Sequence, residues 1–115
     1  MPWKNIGVFE MARFDVFRNS GAHATNVPYL LDVQCDLLSG MDTRVVVPLR
    51  RRDKFSGDKL LRPLMPAFEV EGVPCVMETP KMGAVPCRIL KSRVATLIEH
   101  QADITAALDF LFQGF

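Results

Sequence analysis

Two histidines, three cysteines and thirteen acidic side chains are what this 115-residue chain offers for metal binding, nucleophilic attack or proton transfer. Metal ligation needs several ligands converging at short spacing, and neither His23 nor His100 stands near another histidine or a cysteine. Cys35, Cys75 and Cys87 form no CxxC pair. No metal or other cofactor is therefore expected. The sequence holds no GxSxG, no HExxH and no glycine-rich phosphate loop. Asp15, Asp32, Asp36, Glu69, Glu71 and Glu78 lie in strand-like segments, where carboxylates usually face water, and nothing in their spacing pairs two as acid and base. Only Arg13, Asp15 and His23 come close enough together in the sequence to suggest a proton-transfer trio. Binding has stronger support than catalysis.

Two stretches carry the features of binding. Arg50, Arg51, Arg52 and Lys54 form the sharpest charge cluster. It reads either as a solvated edge that discourages strand-to-strand aggregation or as a dock for an acidic, disordered partner segment. Nucleic acid fits less well, because no aromatic platform is interleaved with the charges. The second stretch is LDFLFQGF, residues 108–115. Gly114 suits the left-handed position just past a helix end, which places Phe115 two positions beyond the helix. There Phe115 either folds back on Phe110 or Leu111 as a cap, or stands out as an anchor worth about 2 kcal/mol when docked. Asp109 leans toward the anchor. It lies beside the negative end of the helix dipole, at a cost of roughly a few tenths of a kcal/mol that a cationic partner would offset.

The elements that must hold these stretches are short. Phe14 and Val16 alternate with polar neighbours in RFDVFRN, as a half-buried strand should. SGAHATN (20–26) is a polar loop. YLLDVQCDLL (29–38) predicts a long strand with Leu31, Val33 and Cys35 on one side. After a turn at SGMDT, RVVVPL (44–49) is a β-branched strand whose Pro48 predicts a sheet edge or a strand end. RRRDKFSGDKLLRP (50–63) reads as a charged excursion with one helical turn around Asp58–Leu61. AFEVEGVPCVME (67–78) predicts two strands around a Glu71-Gly72 turn. The chain then bends through Pro80 and Gly83 into a last short strand near 85–90. Ile104, Leu108 and Leu111 recur at helical spacing with Ala107 between them, predicting a helix over 98–112. Short strands spaced by turns and followed by one helix predict a small antiparallel β-barrel or sandwich with a C-terminal α-helix.

Bulk composition agrees with that picture. The residues are 49% hydrophobic and the formal net charge is +1, which describes one ordinary domain with its own core. Such a balance predicts neither a nucleic-acid-coating surface nor an acidic mimic. No apolar run is long enough to span a bilayer, and the opening residues lack the pattern of a signal peptide. With an odd number of widely spaced cysteines, the expectation is a cytoplasmic protein with reduced thiols and no membrane partner.

Taken in order, DVQCDLL (32–38), RVVVPL (44–49), VPCVMETPKMGAVP (73–86) and DITAALDFLFQGF (103–115) resemble the CcdB family of plasmid-addiction toxins. The resemblance runs from about Phe14 to Phe115. That family starts near Met11, so residues 1–10 are expected to be an N-terminal extension, disordered or due to an early start, and 11–115 the toxin domain. The resemblance implies a homodimer of small SH3-like antiparallel β-barrels that binds the DNA gyrase A protein and traps the cleaved gyrase–DNA complex, without catalysis of its own. It also implies a partly disordered cognate antitoxin, with the pair repressing its own operon, so that operator DNA is met only through the antitoxin complex. Carried over by position, the gyrase contacts are Asp109, Gln113, Gly114 and Phe115 at the helix tip, with Leu37 and Leu38 beside them. The cluster Arg50, Arg51, Arg52 and Lys54 is then the expected antitoxin dock.

Two residues depart from the family pattern. Gln113 stands where a tryptophan usually precedes the final glycine, and a cation–π contact of about 1–2 kcal/mol goes with the indole. Lost in both halves of a dimer, it amounts to roughly one to three decades in affinity. Asp109 stands where a neutral amide is preferred, and its carboxylate can attract an arginine on the target. Three outcomes stay open: a poison tuned to its own host's gyrase, a weakened one, or a relic that keeps only antitoxin binding. A ribonuclease toxin on the same barrel, like the MazF-like enzymes, is a further alternative, with Arg13, Asp15 and His23 as its machinery.

Overall fold

A computed structural model of the chain describes residues 11–38, 40–56 and 62–114. The N-terminal extension, the helical turn expected around 58–61 and Phe115 lie outside the described residues.

Among the described residues, seven strands and one α-helix follow in the order β1 (Asp15–Arg18), β2 (Tyr29–Asp32), β3 (Thr43–Arg51), β4 (Ala67–Val70), β5 (Val73–Met77), β6 (Gly83–Pro86), β7 (Arg93–Thr96) and α1 (Gln101–Gln113). Every strand pairing is antiparallel. The sheet runs β4-β5-β3-β2-β1-β7, and β6 pairs with the first part of β3. Side chains close the curl. At the tip of the β4–β5 hairpin, Glu71 Oε1 accepts the Tyr29 hydroxyl at 2.8 Å, and Arg18 of β1 pairs with the same carboxylate at 3.2 Å. Burial and the Glu71 carboxylate push the Tyr29 hydroxyl up to about 12. The result is a mainly antiparallel β half-barrel with one C-terminal helix, as the strand spacing predicts.

The inner face holds the main core: Val16, Leu31, Val47, Leu49, Phe68, Val70, Cys75 and Met77, joined by Ile104 and Ala107 from α1. Of the stripe read from the sequence, Ile104, Ala107 and Leu108 meet this cluster, whereas Leu111 is half-buried outside it. His100 lies on Phe68 of β4 at 5.0 Å between ring centroids, so the start of the helix is fastened to the far end of the sheet. The hairpin turn also follows expectation. Glu71 and Gly72 both have positive φ, 52° and 77°, the primed geometry that suits the twist of the flanking strands.

Four expectations need correction. In β1, Asp15, Val16 and Phe17 are all buried, because the outer face is covered as well: Phe17 packs with Val46 and Leu90 in a second cluster. The strand expected over 29–38 ends at Asp32; Cys35 is exposed and Asp36–Leu38 is a 3-10 turn. Pro48 is neither at an edge nor at a strand end but inside the nine-residue β3. Its carbonyl accepts from Glu78 N at 3.0 Å, so its missing N–H faces the same side, between the stretch paired with β6 (43–46) and the stretch paired with β5 (49–51). No ladder bond with β2 is lost. Finally, Cys87–Ile89 forms a 3-10 turn where a strand near 85–90 is expected, and β7 carries no clear signal in the sequence.

Candidate functional site

The DVQCDLL segment is built from a buried charge pair outward. Arg44 enters β3 with its side chain 1% exposed and meets Asp32, 0% exposed, through Nε and Nη2, both at 2.9 Å. Burial pushes the Asp32 carboxyl up to about 6, against the opposing pull of the Gln34 N–H and of Arg44. Arg44 Nη2 also reaches the Gln34 carbonyl at 3.2 Å and Asp36 Oδ1 at 3.7 Å. On the other side, Arg13 N donates to Asp36 Oδ1 at 2.8 Å and Arg13 Nε donates to the Val33 carbonyl at 3.2 Å. The Arg13 guanidinium sits 4.8 Å over the ring of Phe14, whose φ of 77° is costly for a bulky residue. Backbone bonds from Phe14 N to Asp32 O (2.7 Å) and from Leu97 N to Phe14 O (2.8 Å) hold it there.

What this base carries is apolar and uncovered. Leu37 is 92% exposed, Leu38 49% and Met41 53%. In a chain whose other large apolar side chains mostly sit in the core, such a cluster marks an interaction surface.

The helix tip is a second such place. Gly114 adopts φ 80° and its N–H donates to Phe110 O at 2.9 Å, the left-handed cap read from the sequence. Asp109 and Gln113 are exposed, and no basic residue stands in the last turn. Phe112, which carries no distinguishing signal in the sequence, is 70% exposed. It follows Leu108 by four positions, so periodicity places it at the margin of the buried stripe, and only packing tells which side of that margin is wet. Among the described residues, no hydrogen bond or ion pair joins this tip to Asp36–Leu38.

The basic cluster divides. Arg50 and Arg51 end β3 and are not part of a loop excursion. Arg50 pairs with the buried Glu78 at 3.0 Å, and Arg51 makes two bonds to Asp53, at 3.1 and 2.9 Å, holding the Asp53 carboxyl below its usual range. Arg52 and Lys54 stand exposed on the following 3-10 turn. Arg51, Arg52, Asp53, Val73 and Pro74 line an open groove of about 430 Å³, so apolar and charged side chains share its wall.

The trio Arg13, Asp15 and His23 is not brought together. Asp15 is buried, accepting from Ala12 N at 3.0 Å and from Arg93 at 3.5 Å, while His23 is exposed in the loop beyond the opposite end of β1. Burial raises the Asp15 carboxyl. The described hydrogen bonds join neither Asp15 nor Arg13 to His23 as an acid–base pair.

A family model described as CcdB protein matches residues 13–114, a span that holds both the DVQCDLL segment and the capped helix end. The chain belongs to the CcdB family. The family is one of toxins in toxin–antitoxin systems connected with plasmid maintenance, and its β-rich architecture is the one described above. No helix among the described residues is long and apolar enough to cross a membrane.

Proposed function

We propose that this chain, as a homodimer, binds the DNA gyrase A protein and traps the cleaved gyrase–DNA complex. The observation that carries the proposal is Leu37, 92% exposed on a turn that follows directly on the buried Arg44–Asp32 pair, at a family contact position. A side chain so bare contributes almost nothing to its own fold, and an exposed apolar knob is what a protein-binding poison needs. Leu38 extends the same face. Asp109, Gln113, Gly114 and Phe115 supply the second contact at the helix tip, and a two-fold axis presents both surfaces in duplicate. Family membership supports the target, and Gln113 and Asp109 tune it to the host's own gyrase.

The antitoxin docks on the basic side. Among the described residues Arg52 and Lys54 form no ion pair, and the groove that Arg52 borders accepts an extended acidic segment with apolar side chains. Arg50 and Arg51 act mainly by holding Glu78 and Asp53. Purified protein mixed with gyrase from its own host and supercoiled DNA tests the main proposal. Cleaved DNA should accumulate with the wild type and not with Leu37→Asp. A folded dimer that traps nothing refutes it.

A further inference from the structure

We infer that Gln34 is a positioning residue for the Leu37–Leu38 face, acting through both hydrogen bonds of its side-chain amide. The inference rests on reading that face as the gyrase contact. Because β2 ends at Asp32, the side of β3 that faces it keeps one backbone bond in the stretch before Val46, from Val33 N to Val45 O at 3.1 Å, and Val45 N is left without a strand partner. The Gln34 side chain takes over. Its Oε1 accepts from Val45 N at 2.9 Å, and its Nε2 donates to the Leu38 carbonyl at 3.2 Å. One amide therefore ties the central strand to the backbone of the exposed turn.

Gln34 is itself firmly seated. It is 8% exposed, its N–H donates to Asp32 Oδ1 at 3.0 Å, and its carbonyl accepts from Arg44 at 3.2 Å. Shielded bonds of this kind are held more firmly than bonds open to water. Leu37 touches little of its own chain, so its direction is set by the backbone of its turn. That backbone is held by the Gln34 amide at the Leu38 carbonyl and by the turn bonds Leu38 N to Cys35 O and Met41 N to Leu38 O, and Arg13 N fixes the Asp36 carboxylate beside it.

The position demands an amide, because it must accept from one backbone group and donate to another at once. Glutamate keeps the acceptor for Val45 N. Ionised, it cannot donate and sets a negative oxygen against the Leu38 carbonyl; protonated, it can donate again.

The test uses Gln34→Glu in the full-length protein, with Gln34→Leu beside it. Amide hydrogen-exchange protection is read at about pH 7 and about pH 4, and affinity for the gyrase A protein at about pH 7. In Gln34→Glu, protection of Leu38 and Met41 should fall about five- to tenfold at neutral pH and return as the carboxyl gains its proton. Gyrase affinity should fall with it, while Leu31 and Val47 keep their protection. Gln34→Leu should show the same loss in the turn without recovery. Unchanged protection at Leu38 and Met41 overturns the inference. So does an equal loss across β2 and β3, which would make Gln34 a general stabiliser, or a loosened turn with unchanged affinity. If the turn responds as expected but even the wild type fails to bind gyrase, the positioning role stands and the gyrase reading falls.

Discussion

Leu37→Ala separates folding from function more sharply than any other single change. Complete burial of a leucine side chain stabilises by about 1.5–3 kcal/mol. At 92% exposure, Leu37 has realised only about a tenth of that within its own fold, roughly 0.2 kcal/mol. The remainder, roughly 1.5–2.5 kcal/mol, becomes available when a partner covers it, which is about a 10- to 70-fold change in affinity for each contact made. Equilibrium urea unfolding and gyrase-dependent DNA cleavage on the same preparations give the two numbers. The unfolding free energy should move by less than about 0.5 kcal/mol, while the concentration needed to trap cleaved DNA rises at least about tenfold. Leu38→Ala, at 49% exposure, should divide its effect between the two assays. A stability loss above about 1 kcal/mol for Leu37→Ala, or unchanged trapping, refutes the reasoning.

Other consequences follow from the same geometry. Arg44→Met leaves Asp32 buried without its partner and should cost about 3–5 kcal/mol in urea unfolding; a loss under about 1 kcal/mol would mean the pair is not closed to water. Because folding raises the Asp32 carboxyl from 3.8 to about 6, the native state keeps a proton that the unfolded chain releases between those values. Stability from this group therefore falls as pH rises from about 4 to about 6, by at most about 3 kcal/mol, and Asp15 acts in the same direction. The gap in unfolding midpoint between wild type and Asp32→Asn should change across that window, and a parallel pair of pH profiles would contradict it. Gln113→Trp should tighten gyrase binding by about 5- to 30-fold for each copy through a cation–π contact, read by titration; no gain would show that no arginine faces the tip. Arg52→Glu with Lys54→Glu should weaken antitoxin binding and flatten its salt dependence without loss of stability or of gyrase trapping. Arg50→Ala should instead destabilise the fold, since it strips the buried Glu78 of its closest cation.

Local chemistry was legible in the residues themselves. The Glu71-Gly72 turn, the Ile104–Ala107–Leu108 stripe and the left-handed Gly114 each depend on neighbours within a few positions, and each stands where the pattern puts it. Ordered short motifs carried the family resemblance in the same way. What depends on distant partners was not legible. Pro48 looks like a strand end until β5 and β6 divide one side of β3 and leave a gap for it. Period-two reasoning carries β2 on to Cys35, but Arg44 pulls Asp32 inward and the Gln34 side chain replaces the strand. Arg50 reads as a loop charge because its partner Glu78 lies on a later segment. The sequence determined which residues are apolar, where the helix stops and which family the chain resembles. The tertiary structure decided that Leu37 is bare, that Asp32 and Arg44 are dry, and that Asp15 and His23 lie apart. Exposure and burial are sums over contacts from the whole chain, and no window of neighbouring residues contains them.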